Sequence, residues 1–318
     1  MDLFQRYLIF RGIKDFGKPE IVRSFTKVYP TTECGTADGV ESKDLEIEYM
    51  GLKLKFRMFK PTGLKENEQV PVSVFLHAGG LCVLSPAIKS EHYICQQICK
   101  LSKCIVFSVD YRLAPENKWP AMLDDAFAFS KWVIESDHEL LEQCNKEKFW
   151  LFGISGAGSI TTGTMLKLKE EGLEKKVKAM VLVCPWLQVT PEVESRYSEK
   201  WTYLTYNNFL DWCQVCLFDK EKDTLLENPL ISPLKAETLE FFPPCCLVSA
   251  DRDPIRDEIY LLKKKLKKDG VPVIYKKFEH SVHGFIGKPF LEQTKLAFDM
   301  IEKFLRENDL NETKNKNN

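Results

Sequence analysis

The sequence predicts an α/β fold: a mostly parallel central sheet with helices on both faces. Two observations carry that expectation. Short, continuous apolar runs recur at residues 72–76, 105–109, 149–152, 177–184 and 246–248, and 271–278 continues the series. Strands covered on both sides read this way, because neither face of the sheet meets water. Segments of helical periodicity lie between these runs, and strand–helix alternation marks a sheet layered by helices.

In chain order, a first pair of strands is expected near 45–50 and 52–59, with Gly51 as a hairpin turn between them. Helices are expected over 94–101 and 121–134. Ile255, Ile259, Leu262 and Leu266 form a helical stripe flanked by Lys263, Lys264, Lys265, Lys267 and Lys268. That lysine cluster reads as a solvated helix face. Phe290, Ala297, Ile301 and Phe304 mark a last helix. Two segments break the alternation. Residues 1–40 begin with Leu3, Phe4, Tyr7 and Leu8 on one helical face. Residues 186–230 carry Trp186, Tyr197, Trp201, Tyr203, Tyr206, Phe209, Trp212 and Phe218. Together they are expected to form a helical cap. The division is then 41–185 and 231–307 for the core, 1–40 and 186–230 for the cap, and 308–318 for a flexible polar tail.

Composition narrows the function. Lys plus Arg number 45 against 46 for Asp plus Glu, a net charge of −1. A general polyanion binder shows a basic excess, so nucleic acid is not an expected partner. The mix of 44% hydrophobic and 29% charged residues is that of a globular chain. No apolar run approaches the roughly 18 residues of a membrane span, so no stable membrane insertion is expected. Gln5 and Arg6 interrupt the N-terminal apolar residues, unlike a secretory signal, and the expected location is cytoplasmic. An odd count of 11 cysteines fits reduced thiols. His92, Cys95 and Cys99, and the Cys213/Cys216 pair, lack a completing set of ligands, so neither metal nor cofactor is expected.

The most informative stretch is Phe149-Trp150-Leu151-Phe152-Gly153-Ile154-Ser155-Gly156-Ala157-Gly158. An apolar strand runs into small residues around a serine and then into a helical segment. Such a turn presents the serine hydroxyl at the carboxyl edge of a sheet, beside a helix N-terminus. Ala157 stands where the G-x-S-x-G pattern has its last glycine. After the strand at 72–76 comes His77-Ala78-Gly79-Gly80, where consecutive glycines can turn backbone N–H groups into a cavity.

Further on stands Asp110-Tyr111-Arg112-Leu113-Ala114-Pro115-Glu116, followed by Trp119-Pro120 and Asp124-Asp125. With the two motifs above, this segment resembles the hormone-sensitive-lipase-like family of α/β-hydrolases, over roughly residues 70–307. The resemblance implies an α/β-hydrolase fold and a serine nucleophile, Ser155. It implies an oxyanion hole from the N–H groups of Gly79, Gly80 and Gly156, with His77 fixing the loop and Arg112 and Glu116 in the buried scaffold. Asp253-Pro254-Ile255-Arg256-Asp257-Glu258 matches the family's D-P-L-R-D-E, which points to Asp253 as the acid, with Asp251 as its neighbouring competitor and Asp257 at a helix start. His283-Gly284-Phe285 matches H-G-F, which points to His283 as the base over His280. The chain departs from the family at Ile154, Ala157, Ala78 and 81–84.

The activity implied is carboxylic-ester hydrolysis through an acyl-serine, on a small-molecule ester of short to medium chain or an aryl ester, without a cofactor. Amide deacetylation or acyl transfer on the same triad is an alternative, as is a non-catalytic small-molecule receptor of the same fold. A homodimer is left open.

Overall fold

The computed structural model describes residues 30–187, 194–195, 207–218 and 227–316. The chain enters the sheet as an antiparallel ribbon of β1 (Thr36–Ala37), β2 (Val40–Tyr49) and β3 (Leu52–Pro61). Met50 and Gly51 close the β2–β3 hairpin with φ of 52° and 73°. Two successive positive φ values give the turn whose twist suits paired strands.

Six further strands complete the sheet: β4 (Val70–Leu76), β5 (Ile105–Val109), β6 (Cys144–Ile154), β7 (Val177–Val183), β8 (Cys245–Arg252) and β9 (Val273–Val282). The order across it is β1-β2-β3-β5-β4-β6-β7-β8-β9. Every pairing from β5 to β9 is parallel. The two faces are told apart by residue parity. Val72, Val74, Leu76, Phe149 and Leu151 face one apolar layer, while Phe75, Trp150, Phe152 and Ile154 face the other. Strands with both faces buried show no polar alternation, which is why the sequence runs are continuous.

The first layer is closed by α2 (Ala121–Glu135), α3 (Ala157–Glu170), α4 (Asn207–Leu217) and α5 (Arg256–Lys268). The second is closed by α1 (Lys89–Ser102) and α6 (Glu292–Lys316). The α/β-hydrolase architecture expected from the sequence is thus present, with the carboxyl ends of β4, β6, β7 and β8 along one edge.

Three boundaries differ from the expectation. Thr36, Ala37 and Val40 pair within the sheet, so the sheet begins inside the segment expected to be cap. Phe290 is 81% exposed and precedes the last helix, which starts after Pro289 and buries Ala297, Phe298, Ile301, Phe304 and Leu305 instead. That helix continues to Lys316, through most of the segment expected to be a flexible tail, because neither Gly nor Pro interrupts 292–316. Leu3, Phe4, Tyr7 and Leu8, and Tyr197, Trp201, Tyr203 and Tyr206 of the expected cap, lie outside the described residues.

Candidate active site

Ser155 sits between the end of β6 and the start of α3 with φ of 55°. A side chain in the left-handed region is strained and persists only where neighbours hold it. Here β7 and the segment after it hold both sides of the residue. The Ser155 N–H donates to the Val183 carbonyl at 3.0 Å, and the Ser155 carbonyl accepts from the Trp186 N–H at 2.8 Å. Small residues let the strand, the helix and their surroundings meet. A Cβ on Gly153 would lie 2.1 Å from Thr161 Oγ1, and one on Gly158 would lie 2.4 Å from Pro185 Cβ. Ala157 is fully buried at the helix start, so the turn forms with alanine at this position.

Facing Ser155 is the loop after β4, and its peptide planes are held one by one. In a trans peptide the carbonyl and the N–H point opposite ways, so fixing one end aims the other. The His77–Ala78 peptide is gripped at both ends: Tyr111 Oη donates to the His77 carbonyl at 2.7 Å, and the Ala78 N–H donates to Glu91 Oε2 at 3.2 Å. In the next peptide, His77 Nδ1–H donates to the Ala78 carbonyl at 2.7 Å, which turns the Gly79 N–H away. In the third, the Gly79 carbonyl accepts from the Cys82 and Val83 N–H groups, both at 3.1 Å, which turns the Gly80 N–H away in its turn. Gly79 has φ of 117°, and a Cβ there would strike the Val83 carbonyl oxygen at 2.0 Å. Among the described residues, the N–H groups of Gly79, Gly80 and Gly156 have no protein acceptor.

Burial and stacking set the charge states beneath this loop. The His77 ring stacks on Tyr111 with centroids 4.2 Å apart. Burial lowers the His77 pKa to about 4, which keeps the imidazole neutral and lets Nδ1 carry the donated proton. Tyr111 is placed by its neighbour Arg112, whose guanidinium meets the buried Asp125 carboxylate at 2.7 Å while the Arg112 N–H donates to the same group at 2.8 Å.

Asp253 and His283 come from the far side of the edge. Asp253 lies in the loop between β8 and α5 and is 1% exposed. Its Oδ1 accepts from the Ile255 N–H at 3.0 Å, and its Oδ2 meets His283 Nδ1 at 2.8 Å. A carboxylate at Nδ1 fixes the proton there and leaves the Nε2 lone pair free. That Nε2 is 2.8 Å from Ser155 Oγ. The competitors stand apart from this bridge. Asp251 pairs with Lys277 at 2.8 Å, which holds its carboxyl below the usual range, and His280 is exposed. The remaining two histidines have local roles: His92 lies 3.1 Å from Arg57, and His138 Nδ1 accepts from the Leu140 N–H.

Several contributors had no clear signal in the sequence. Glu258 is fully buried and accepts from the Leu187 N–H at 2.6 Å. Asp257, expected only to favour a helix start, also accepts from the Ser195 N–H at 2.9 Å, and Ser195 Oγ donates to the Pro254 carbonyl at 2.8 Å. The segment leaving β7 is therefore tied to the loop that carries Asp253. Helix α4 rests on the loop after β4: a Cβ on Gly80 would lie 2.6 Å from Cys213 Sγ and 3.1 Å from Phe209. Cys184, with φ of 44°, is buried at the end of β7. Its sulfur, the Asp253 carboxylate and a His283 nitrogen lie within 4.8 Å of one another, the one set of three metal-ligating side chains among the described residues. Asp253 and His283 already engage each other, and burial beside the Asp253 carboxylate pushes the Cys184 thiol up, so it stays protonated.

Comparison with known proteins places this geometry. Residues 73–287 match the family model described as the alpha/beta hydrolase fold. The chain belongs to this α/β-hydrolase family. An arylesterase of Saccharolobus solfataricus is 31% identical over 78% of this chain and 78% of its own. The gibberellin receptor GID1A of Arabidopsis thaliana is 27% identical over 86% of this chain and 84% of its own. Among solved structures, the hyperthermophilic esterase of Pyrobaculum calidifontis superposes with a TM-score of 0.79 at 26% identity, covering 96% of this chain and 97% of that one. The resemblance to hormone-sensitive-lipase-like hydrolases expected from the motifs is borne out. Among the described residues of this α/β-hydrolase, no helix is long and apolar enough to cross a membrane.

Proposed function

We propose that this carboxylic-ester hydrolase works through an acyl-Ser155 intermediate, with His283 as general base and acid and Asp253 as its orienting carboxylate. One observation carries the reading: the His283 ring bridges Asp253 and Ser155 with 2.8 Å on each side. Ser155 Oγ attacks the ester carbonyl as His283 Nε2 takes its proton. The carbonyl oxygen becomes an oxyanion that the N–H groups of Gly79, Gly80 and Gly156 receive. Asp253 stabilises the imidazolium formed in that step. His283 then protonates the departing alkoxide. A water activated by the same nitrogen releases the acid.

The substrates proposed are small-molecule esters of short to medium chain, or aryl esters. Phe209, Trp212 and Cys213 on α4 support an apolar wall beside the oxyanion loop, and α4 is proposed to belong to a cap over the site. Eleven cysteines without a disulfide among the described residues support a reducing, cytoplasmic setting. The likeness to a gibberellin receptor favours one second reading, a binding protein without turnover.

The test is hydrolysis of 4-nitrophenyl esters from acetate to palmitate by the purified chain, with Ser155→Ala beside it. Turnover that is highest on the shorter esters and vanishes in the variant is expected. A folded wild type that binds such esters without releasing 4-nitrophenol would shift the reading to a receptor.

A further inference from the structure

Glu91 lies in the first turn of α1 and is 4% exposed. Burying a carboxylate is costly unless it is paired or well hydrogen-bonded. Among the described residues, no cation acts on it, and its two partners are the Ala78 N–H at 3.2 Å and the Ser90 hydroxyl at 3.3 Å. The first of these belongs to the peptide directly before the two oxyanion glycines.

We propose that Glu91 is a positioning residue of the oxyanion hole: by gripping the Ala78 N–H it sets the peptide from which the Gly79 and Gly80 N–H groups take their direction. This rests on the serine-hydrolase reading above. Among the described residues, the run His77-Ala78-Gly79 carries no other anchor on an N–H. The remaining grips, from Tyr111, His77, and the Cys82 and Val83 amides, all act on carbonyls. Without Glu91 the His77–Ala78 plane keeps only its carbonyl tether and can rotate about it. Since each plane is hinged to the next, that rotation carries the Gly79 and Gly80 N–H groups off the position of the developing negative oxygen. Such donors act through their fixed direction, so small misalignment weakens the transition state more than substrate binding.

The grip also depends on pH. Burial raises the Glu91 carboxyl from its ordinary value to about 7. The titratable groups around it are Cys95 on its own helix, Tyr111 from the segment after β5 and His77 on the loop. Burial keeps the first two protonated and His77 neutral near neutral pH. Above about pH 7 the ionised carboxylate makes the stronger, charge-assisted hydrogen bond; below it the neutral carboxyl is a weaker acceptor. Protonation of Glu91 therefore reduces turnover as pH falls through about 7.

The experiment is kcat and KM for a soluble 4-nitrophenyl ester from about pH 5 to about pH 9, in wild type, Glu91→Gln, Glu91→Ala and Ser155→Ala. Glu91→Ala is expected to lower kcat by roughly 10- to 100-fold with KM changed less than about 3-fold. Glu91→Gln keeps an acceptor oxygen, so its kcat at about pH 8 stays within roughly 5-fold of wild type. Its acid limb lacks the proton that Glu91 takes up in wild type. The near-isosteric Gln variant carries the test if the Ala variant fails to fold. The inference is overturned by a kcat in folded Glu91→Ala within about 2-fold of wild type, or by identical acid limbs in wild type and Glu91→Gln. Undiminished hydrolysis by Ser155→Ala is a separate result: it removes the nucleophile assignment itself, and with it the hole that Glu91 would position.

Discussion

A Cβ on Gly156 would lie 2.6 Å from the Gly80 Cα and 2.7 Å from the Gly80 nitrogen. The nucleophile elbow and the oxyanion loop thus touch backbone to backbone, with no room for a methyl group. Gly156→Ala must push the loop away from Ser155 while leaving the His283 bridge in place. The expected outcome is a kcat lower by on the order of 100-fold with KM nearly unchanged. A variant with wild-type kcat would mean that the loop yields without loss, and that its N–H groups do not need their present position.

Asp253 accepts on both oxygens, from Ile255 N–H and from His283 Nδ1. In Asp253→Asn the amide oxygen can keep the Ile255 contact, which turns the NH₂ group toward His283. A donor there favours the imidazole tautomer with the proton on Nε2, which cannot accept the Ser155 proton. A kcat loss of roughly three to four orders of magnitude is expected, with the fold intact by circular dichroism. Loss of less than about 10-fold would remove Asp253 from the role given to it.

Why some of this was legible in the sequence and some was not has a physical basis. Strands buried on both faces must be apolar throughout, so β4 to β8 announce themselves. Ser155 announces itself because a strained turn needs small neighbours at fixed offsets. The motifs named Asp253 and His283, and the fold sets the His283 ring between Asp253 and Ser155. Glu91 is different. It is a lone acid on a helix, indistinguishable in sequence from a solvated one, and its meaning comes from a backbone N–H supplied by a distant loop. Cys184 ends an apolar run and therefore reads as strand interior, although it stands beside Asp253. Phe290 misled in the opposite direction, since spacing alone places it on a helical stripe that Pro289 delays until Glu292.

The thiols make a separate prediction. Of the eleven cysteines only Cys34 is exposed, and it precedes β1 at the edge of the sheet farthest from β9. Ellman's reagent should therefore label one thiol in the folded protein and all eleven in denaturant. The single reaction should be slower than that of a free cysteine, because partial burial and the Asp44 carboxylate favour the protonated thiol. Cys34→Ser should abolish this single label and leave hydrolysis unchanged. Rapid labelling of several thiols in that variant would show that the buried sites around Cys82 and Cys213 open readily.

Stability should respond to pH through three groups, one of opposite sense to the other two. Glu91 has its pKa raised from 4.5 to about 7 in the fold. Across that window the folded chain holds a proton that the unfolded chain has released, so this contribution to stability is lost as pH rises. His77 is lowered from 6.5 to about 4, and His92 likewise, both chiefly by burial. Across that second window the unfolded chain binds protons that the fold refuses, so stability is lost as pH falls. The two effects oppose each other where the windows overlap, and the wild-type curve is flattened there. Glu91→Gln removes the first alone. Its stability relative to wild type should rise by roughly 3 kcal/mol between about pH 4.5 and about pH 7, and its own curve should show the acid loss from the histidines uncompensated. Urea unfolding of both proteins at a series of pH values measures this, and parallel curves through that window would show that Glu91 does not titrate as a buried carboxyl.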